Sequence, residues 1–210
     1  MGWETELSFR SKGDIIVCGC DEAGRGPLAG PVFAAAVLLP EGLEIEGLDD
    51  SKRLSEKKRN FLYDEIREKC IDCAVAHAEV YEIEMINILN ASMLAMKRAI
   101  AQLRTLPDLA LIDGNVARDF QIRAIPVVKG DAKCPSIAAA SILAKVSRDR
   151  FCEEMDMFYP QYGFAKHKGY ATKEHREAIL KYGPCPVHRR SFLHKILGED
   201  IGQKSFWQIR

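Results

Sequence analysis

Residues 21–31 read Asp21-Glu22-Ala23-Gly24-Arg25-Gly26-Pro27-Leu28-Ala29-Gly30-Pro31, directly after the apolar run Ile15-Ile16-Val17-Cys18-Gly19-Cys20. The apolar run predicts a buried strand, and the glycines and prolines after it predict a turn into a second strand. Two adjacent carboxylates at a strand end can hold a hard cation, and bare glycine backbone beside an arginine suits a phosphodiester. The stretch therefore predicts a metal site and a phosphate site in one turn, which indicates nucleic-acid or nucleotide chemistry.

The composition of the chain is that of a globular protein. Its 210 residues, 47% of them hydrophobic and 29% charged, fit one domain with a substantial core. No apolar run approaches the roughly 18 residues of a membrane span, and the first residues lack the pattern of a secretory signal. Seven cysteines without such a signal favour reduced thiols, so we expect a cytoplasmic protein that does not bind membranes.

A formal net charge of zero conceals an uneven distribution of charge along the chain. Residues 1–120 carry 14 Lys and Arg against 21 Asp and Glu, whereas residues 121–210 carry 16 against 9. The second part also contains four of the five histidines. It can supply a basic face for phosphates if the fold gathers these charges, and the alternative is two ordinary mixed surfaces.

The order of the predicted elements indicates the fold class. Strand patterns cover 14–20, 32–39, 73–80, 109–112 and 122–128, and helical patterns cover 56–69, 82–103, 136–158 and 172–182. Ser55 is the expected N-cap of the first of these helices, and the small residues 138–141 allow the third to lie close to a sheet. Early strands followed by βα alternation favour an α/β fold, a mixed sheet covered by helices, in one domain over residues 1–210.

Acidic side chains follow three of the predicted strands, at Asp21-Glu22, Asp113 and Asp131. Strand ends on one side of such a sheet form a crevice, where four carboxylates would repel unless cations such as Mg²⁺ or Mn²⁺ neutralise them. Two such ions roughly 3.5–4 Å apart can activate a water and stabilise a leaving oxygen. Asp113 and Asp131, taken singly, also fit turn or capping roles.

Glu22 presents a geometric question that the sequence leaves open. The side chains of adjacent residues in an ideal strand point to opposite faces, so Asp21 and Glu22 can serve one site in only two cases. Either the strand ends there, or one of the two residues contributes its backbone carbonyl. We therefore expect Glu22 to be a ligand without specifying which of its oxygens binds.

A series of motifs extends along the chain. They are 21–32, Asp50-Ser51-Lys52, Ile112-Asp113-Gly114-Asn115, Lys129-Gly130-Asp131, 136–146, Arg148-Asp149, Gly169-Tyr170, His175 and His188-Arg189-Arg190-Ser191-Phe192. In this order they resemble the motifs of bacterial ribonuclease HII, the type 2 ribonucleases H. The resemblance covers residues 14–197 and leaves the tail 198–210 without an assigned role.

The resemblance implies a ribonuclease H-like mixed β-sheet flanked by helices, with a helical C-terminal region. It implies a metal-dependent endonuclease that cleaves RNA in RNA–DNA hybrids and cuts 5′ to single ribonucleotides in duplex DNA, leaving 5′-phosphate and 3′-hydroxyl ends. Such an enzyme acts in ribonucleotide removal and in clearing primers and hybrids. Its implied partners are RNA–DNA hybrid and ribonucleotide-containing duplex DNA, and we expect a monomer.

The resemblance also assigns roles to individual residues. The implied ligands of Mn²⁺ or Mg²⁺, which are also the catalytic acids, are Asp21, Glu22, Asp113 and Asp131. The implied substrate-binding residues are Gly24, Arg25 and Gly26 at the ribose 2′-hydroxyl, Tyr170 at the next sugar, and Lys52, Lys129, Lys145, Arg148, His188 and Arg189 at phosphates. Zinc binding by His167, His175 and His188 is not expected, because their spacing is irregular and no local ligand pair accompanies them.

Three other functions remain open from the residues alone. A nuclease for DNA junctions on the same fold would need the carboxylates but no reader of a 2′-hydroxyl. A hybrid-binding protein without catalysis would keep its function after Asp113→Asn. A small-molecule phosphohydrolase would show no dependence on the length of a duplex.

Overall fold

A five-stranded sheet forms the centre of the molecule in the computed structural model, which describes residues 2–10, 16–49, 51 and 54–198. The strands are β1 Val17–Ala23, β2 Val32–Leu38, β3 Asp72–Ala78, β4 Leu109–Asp113 and β5 Arg123–Val127. Their spatial order is β3-β2-β1-β4-β5. The β1–β2 and β2–β3 pairs are antiparallel, whereas β1–β4 and β4–β5 are parallel. The predicted mixed sheet is therefore confirmed.

Helices cover the sheet and form the C-terminal region, as predicted. In the described ranges they are α1 Glu4–Arg10, α2 Glu56–Lys69, α3 Val80–Ala101, α4 Pro135–Phe158, α5 Phe164–His167, α6 Lys173–Tyr182 and α7 His194–Leu197. None of them combines the length and the apolar character that crossing a bilayer requires. Ser55 caps α2, since its hydroxyl accepts a hydrogen bond from the Lys58 N–H at 3.3 Å. Helix α1 was not predicted from the sequence.

Helices α3 and α4 pack on opposite faces of the sheet. Cys18 and Cys20 of β1 face the core that contains α3, whereas Val17 packs with Ile137 of α4. A Cβ at Gly19 would overlap the backbone of Ser136 and Ile137, so only glycine lets α4 lie directly on β1. The buried small residues 138–141 confirm the predicted close packing. Helix α4 thus crosses immediately behind the strand that carries Asp21.

Strand β1 extends further than its apolar pattern predicted. The strand includes both acids, with Asp21 opposite Ala35 and Glu22 opposite Ala34 of β2. The predicted end at residue 20 is therefore wrong, because the backbone ladder continues where the apolar side chains stop. Residues 14 and 15 of the predicted strand lie outside the described residues.

Helix α3 also differs from its predicted bounds of 82–103. The helix begins at Val80, ends at Ala101 and is interrupted at Asn87, whose φ of 65° and ψ of 165° are not helical. The Asn87 side chain caps the second part by accepting hydrogen bonds from the Leu89 and Asn90 N–H groups. The apolar periodicity continues across this break, which is why the pattern did not reveal it.

Candidate active site

Asp21 and Asp113 lie side by side on the parallel strands β1 and β4. Cys20 is the register partner of Ile112, so the two aspartates are the next residues along neighbouring strands. Alternation of side chains then places both on the face covered by α4, which also holds Val17, Leu109 and Leu111. The Asp21 side chain is buried. The parallel register thus forms the first half of the acidic site.

Asp131 reaches the same place through a tight turn after β5. Residues Gly130–Ala132 form one turn of 3₁₀ helix, which begins after Lys129 in the left-handed conformation. The Gly130 N–H donates to Oδ1 of Asp113 at 2.7 Å, and the Asp131 N–H donates to the same oxygen at 3.4 Å. These bonds hold the turn against the end of β4 and bring Asp131, which is buried, next to Asp113.

The charges of these carboxylates act on one another. Burial raises the pKa of Asp21 well above its usual value, and the negative charges of Glu22 and Asp113 raise it further. Hydrogen bonds from the Glu22 N–H and from Ser141 oppose that rise. Burial also raises the pKa of Glu22, where Arg25 opposes the effect and Asp113 adds to it. A bound cation would relieve this repulsion.

The donor set fits a hard divalent cation by its chemistry. All four candidate side chains offer carboxylate oxygens, the ligands that Mg²⁺ and Mn²⁺ accept. Among the described residues, no three His, Cys, Asp or Glu side chains already surround a common ion position. Asp21, Glu22 and Asp113 are therefore neighbours with repelling charges, and Asp131 lies beside Asp113, but the four do not form a closed ligand cage. Binding of the ion by Glu22 stays a prediction.

A cleft beside the acids contains the residues predicted to read the ribose. It is lined by Glu22, Ala23, Gly24, Arg25, Gly26, Ser51, Ser141, Lys145, Arg148 and Tyr170. Gly24 has a φ of 101°, and a Cβ there would overlap the Arg148 side chain, so the turn requires glycine. Arg25 is exposed, and its guanidinium donates to Oε1 of Glu22 at 3.2 Å. The structure thus brings the turn, Tyr170 and one acid into a single cleft.

Arg189 is not a surface phosphate contact, which corrects the prediction. Its side chain is fully buried, and its guanidinium donates to the carbonyls of Gly24, Arg25, Pro27, Gly30 and Pro31 at 2.7–3.2 Å. Burial, together with the charge of Arg148, lowers its pKa to about 9, which still leaves it protonated at neutral pH. Arg189 therefore holds the 24–31 loop in shape from beneath.

Arg148 and His188 are also interior residues, with 1% and 2% of their surface exposed. Arg148 donates to the carbonyls of Lys168 and Ala29 at 3.0 and 3.2 Å, and its guanidinium carbon lies 5.9 Å from the centre of the Tyr170 ring. His188 bonds His175. Burial corrects the prediction of direct phosphate contacts for both side chains. Arg148 nevertheless borders the cleft, and its Nε, unlike its other two guanidinium nitrogens, has no hydrogen-bond acceptor among the described residues.

The predicted lysines are differently placed. Lys129 is exposed next to the Asp131 turn. Lys145 lines the cleft and forms an ion pair with Asp149 at 2.6 Å, and Arg59 lies 3.8 Å from the other oxygen of Asp149. Lys52 lies outside the described residues.

Sequence reasoning missed the serines and the acid that support this site. The Ser51 and Ser141 hydroxyls are 2.7 Å apart, and Ser141 in turn bonds Asp21. Asp149 fixes Lys145 from one turn further along α4. The spacing of four residues between them was a usable signal, since such pairs face each other on a helix. No local pattern indicated the contact between residues 51 and 141.

Comparisons with known proteins find a matching family and a matching fold. A family model described as ribonuclease HII matches residues 18–195. Ribonuclease HII of Albidiferax ferrireducens is 57% identical over 177 residues, which cover 84% of this chain and 86% of that protein. Ribonuclease H2 from Pyrococcus horikoshii is 29% identical, with a TM-score of 0.70 over 86% of this chain and 96% of that chain. Bst-RNase HIII in complex with Mn²⁺ shares the fold, with a TM-score of 0.72 at 20% identity over 91% and 72% of the two chains.

Proposed function

Since this chain belongs to the ribonuclease HII family and is a ribonuclease H endonuclease for RNA–DNA hybrids, we propose that it also cuts duplex DNA 5′ to a single ribonucleotide. The observation that carries the proposal is the cleft between the Gly24–Gly26 turn and Tyr170. Cε1 of Tyr170 lies 3.8 Å from the position that a Cβ of Gly26 would occupy, so ring and turn are adjoining walls of this cleft. Glu22 lines the same cleft.

The two walls suit recognition of one ribose. Backbone without side chains can approach a sugar closely and hydrogen-bond its 2′-hydroxyl, the group that distinguishes RNA from DNA. Tyr170 is 45% exposed, so its ring is free to stack on the neighbouring sugar and to disfavour a second 2′-hydroxyl there. A junction between one ribonucleotide and deoxyribonucleotides then fits the cleft better than continuous RNA.

The acids would supply the catalytic centre at the end of the cleft. Asp21, Glu22, Asp113 and Asp131 would hold Mg²⁺ or Mn²⁺, which when bound supplies activation of water and stabilisation of the leaving oxygen. Hydrogen bonds from Ser141 and from the Gly130 N–H orient Asp21 and Asp113 for this role. Hydrolysis in this arrangement leaves a 5′-phosphate and a 3′-hydroxyl.

Cationic side chains near the cleft would bind the phosphates of the duplex. Arg25, Lys129 and Lys145 are the three side chains that we assign to this role, and Lys145 is oriented by Asp149. The protein would thereby bind the backbone without reading base sequence. The cellular role that follows is removal of misincorporated ribonucleotides and clearance of hybrids.

A cleavage assay on four duplexes tests this function. The substrates are an RNA–DNA hybrid, duplex DNA with one ribonucleotide, plain DNA and plain RNA, each with Mg²⁺ and with Mn²⁺. We expect cleavage of the first two only, with the cut on the 5′ side of the single ribonucleotide. Intact single-ribonucleotide duplex beside a cleaved hybrid overturns the proposal, and cleavage of plain DNA favours the junction-nuclease alternative.

Two variants assign the roles within the site. Asp113→Asn should lower kcat on the order of 100-fold or more while binding of hybrid is kept, because it removes one metal-binding charge. Unchanged function in this variant would indicate a binding protein. Tyr170→Ala should lower kcat/KM at the single ribonucleotide about 10-fold more than on hybrid, whereas the matched control Tyr170→Phe keeps the ring and should retain activity.

A further inference from the structure

Three histidines form a buried cluster beneath the cleft. The rings of His167 and His175 stack with centroids 4.3 Å apart, and Nε2 of His175 lies 3.0 Å from Nε2 of His188. All three side chains are buried, His175 completely. Phe164 packs against each of them. Imidazoles in such a place are fixed in orientation, so each ring nitrogen has a defined partner.

The hydrogen bonds determine which nitrogen carries each proton. Nδ1 of His188 accepts from the Cys185 N–H at 3.0 Å, so the proton of His188 is on Nε2 and is donated to Nε2 of His175. His175 must then carry its own proton on Nδ1, which donates to the Tyr170 carbonyl at 2.9 Å. The bonds thus run in one direction, from Cys185 through the two imidazoles to Tyr170.

Each imidazole of the pair is attached to one wall of the cleft. His175 holds the backbone of Tyr170, which is the first wall. His188 pairs with Ala29 of the 24–31 loop in an isolated β-bridge. The next residue, Arg189, holds the carbonyls of the same loop with its guanidinium. This loop contains the Gly24–Gly26 turn, which is the second wall. The bond between the two Nε2 atoms therefore links the recognition loop to the recognition tyrosine across the protein interior.

A second link between the same walls acts at a different point. The Leu28 N–H donates to the Gly169 carbonyl at 2.8 Å, which joins the loop to the residue before Tyr170. This bond fixes the backbone on one side of Tyr170, while the imidazole pair holds the Tyr170 carbonyl on the other. The Tyr170 N–H also donates to the His167 carbonyl at 2.9 Å, and the Tyr170 carbonyl also accepts from the Thr172 N–H at 2.8 Å. The imidazole pair differs from these local bonds because it connects Tyr170 to the recognition loop.

We propose that His175 and His188 are positioning residues that set the spacing and tilt of Tyr170 against the Gly24–Gly26 turn and thereby the preference for a single ribonucleotide. The inference rests on the proposed function of that cleft. It assigns no contact with substrate to either histidine, because both are covered. Burial lowers the pKa of each to about 4, so both are neutral near pH 7 and the pair stays intact.

Substitutions of His175 separate the two halves of the link. His175→Gln places an acceptor near the old Nε2 position and can keep the bond from His188, whereas His175→Asn places a donor near Nδ1 and can keep the bond to Tyr170. His175→Leu removes both. His194 is exposed and its Nδ1 donates to the nearby Ser191 carbonyl, so His194→Leu is the matched control.

The measured quantity is the ratio of kcat/KM on single-ribonucleotide duplex to kcat/KM on RNA–DNA hybrid. We expect His175→Leu to lower this ratio about 10-fold, since small displacements of a positioning group have effects of this size. His175→Asn and His175→Gln should lower the ratio less than His175→Leu does, and His194→Leu should leave it unchanged. In a Tyr170→Ala background His175→Leu should lower the ratio no further, because it acts through that ring.

Equal losses on both substrates, or fully additive effects with Tyr170→Ala, would overturn the positioning role. Nuclear magnetic resonance of the imidazole nitrogens gives a readout that needs no cleavage. At neutral pH it should show the Nε2–H form of His188 and the Nδ1–H form of His175, and His175→Leu should shift the amide signals of Gly24 and Gly26. The opposite protonation pattern would contradict the inference, and so would unshifted amide signals. Because this readout does not use cleavage, it tests the inference separately from the proposed function.

Discussion

Asp21 shows at the scale of one residue how the demands of the site oppose those of the fold. The carboxylate is buried beside Glu22 and Asp113, and burial together with both charges raises its pKa. A group whose folded-state pKa is raised destabilises the protein once pH exceeds the unfolded-state pKa and the group must ionise. The metal-free protein at neutral pH therefore carries an electrostatic cost at this position that a bound cation removes.

Asp21→Asn should stabilise the metal-free protein while abolishing cleavage. The amide oxygen can keep the bonds from the Glu22 N–H and Ser141, and the like charge is lost. At pH 7 with a chelator, we expect the free energy of unfolding of this variant to exceed that of the parent by about 0.5–2 kcal/mol, which is the usual gain from one stabilising substitution. Chemical denaturation measures it.

The matched control for this prediction is Asp64→Asn, which removes an exposed acid of α2 and should leave stability nearly unchanged. Added Mg²⁺ or Mn²⁺ should stabilise the parent protein more than Asp21→Asn, because the variant lacks one ligand. A variant that is less stable than its parent without metal would show that the buried charge is better compensated than the geometry indicates.

Arg189 illustrates a second lesson at the residue scale. An arginine among His188, Arg190 and Ser191 suggests a basic surface, yet the structure places its guanidinium under the 24–31 loop and away from the predicted phosphate contact. Five carbonyl acceptors satisfy all three guanidinium nitrogens. The planar fork of arginine can do this and the ammonium of lysine cannot. The residue supports recognition without touching phosphate.

At the scale of elements, α4 organises the site because it lies directly on β1. Its first turn is capped from outside by Glu6 of α1, whose Oε1 accepts from the N–H and the hydroxyl of Ser136 at 2.9 and 2.8 Å. Ser141 and Lys145 follow on the same helix and line the cleft. The short helix α1 therefore anchors the start of the element that supports Asp21.

Glu6 should make stability depend on pH in a defined direction. Burial raises its pKa, while Ser136 and Arg10 oppose the rise. The cost of ionising it in the fold is absent below its unfolded pKa and develops as pH rises through the raised value. Glu6→Gln keeps an acceptor for Ser136 without a charge. The free energy of unfolding of this variant, relative to that of the parent, should therefore increase with pH above about 4.5.

Glu6→Ala is the companion to this experiment. It leaves the Ser136 N–H without its acceptor and should lower the free energy of unfolding by about 1–3 kcal/mol. Denaturant titrations between pH 4 and 8 measure both variants. A parent and a Glu6→Gln variant with parallel pH profiles would mean that the carboxylate ionises in the fold at no cost.

At the scale of the whole molecule, the zero net charge gives no indication of nucleic-acid binding. The exposed cations Arg25 and Lys129 and the partly buried Lys145 lie near the acidic site, while Arg148 and Arg189 are buried. Affinity for a duplex should therefore depend on a few phosphate contacts rather than on a large basic surface. Charge counted along the chain overstates what the surface offers.

The salt dependence of hybrid binding tests this distribution of charge. In an Asp113→Asn background, three phosphate contacts predict a slope of log affinity against log salt of about −2 to −3. Lys129→Gln should reduce the slope by about one. Lys166→Gln, which removes an exposed lysine paired with Glu174 at 2.7 Å, is the control and should leave it unchanged. An unchanged slope for Lys129→Gln would remove that residue from the interface.

The sequence by itself determined the elements and the acids of this protein. Apolar periodicity located all five strands and the helices α2, α3, α4 and α6, and the acids after three of the predicted strands indicated a shared site. These features depend on neighbours along the chain, so local pattern and turn chemistry suffice to predict them. Where polar residues continue a strand, as in β1, the same reasoning ended the element too early.

Only the tertiary structure decided what surrounds those acids. The contact of Ser51 with Ser141, the cap from Glu6 to Ser136 and the bond between His175 and His188 join residues that are 90, 130 and 13 positions apart. The burial of Arg148 and Arg189 was likewise decided by the tertiary structure. Sequence specifies which polar groups exist, but their desolvation and pairing depend on which segments the fold brings together, and this determines whether a charge binds substrate or supports the site.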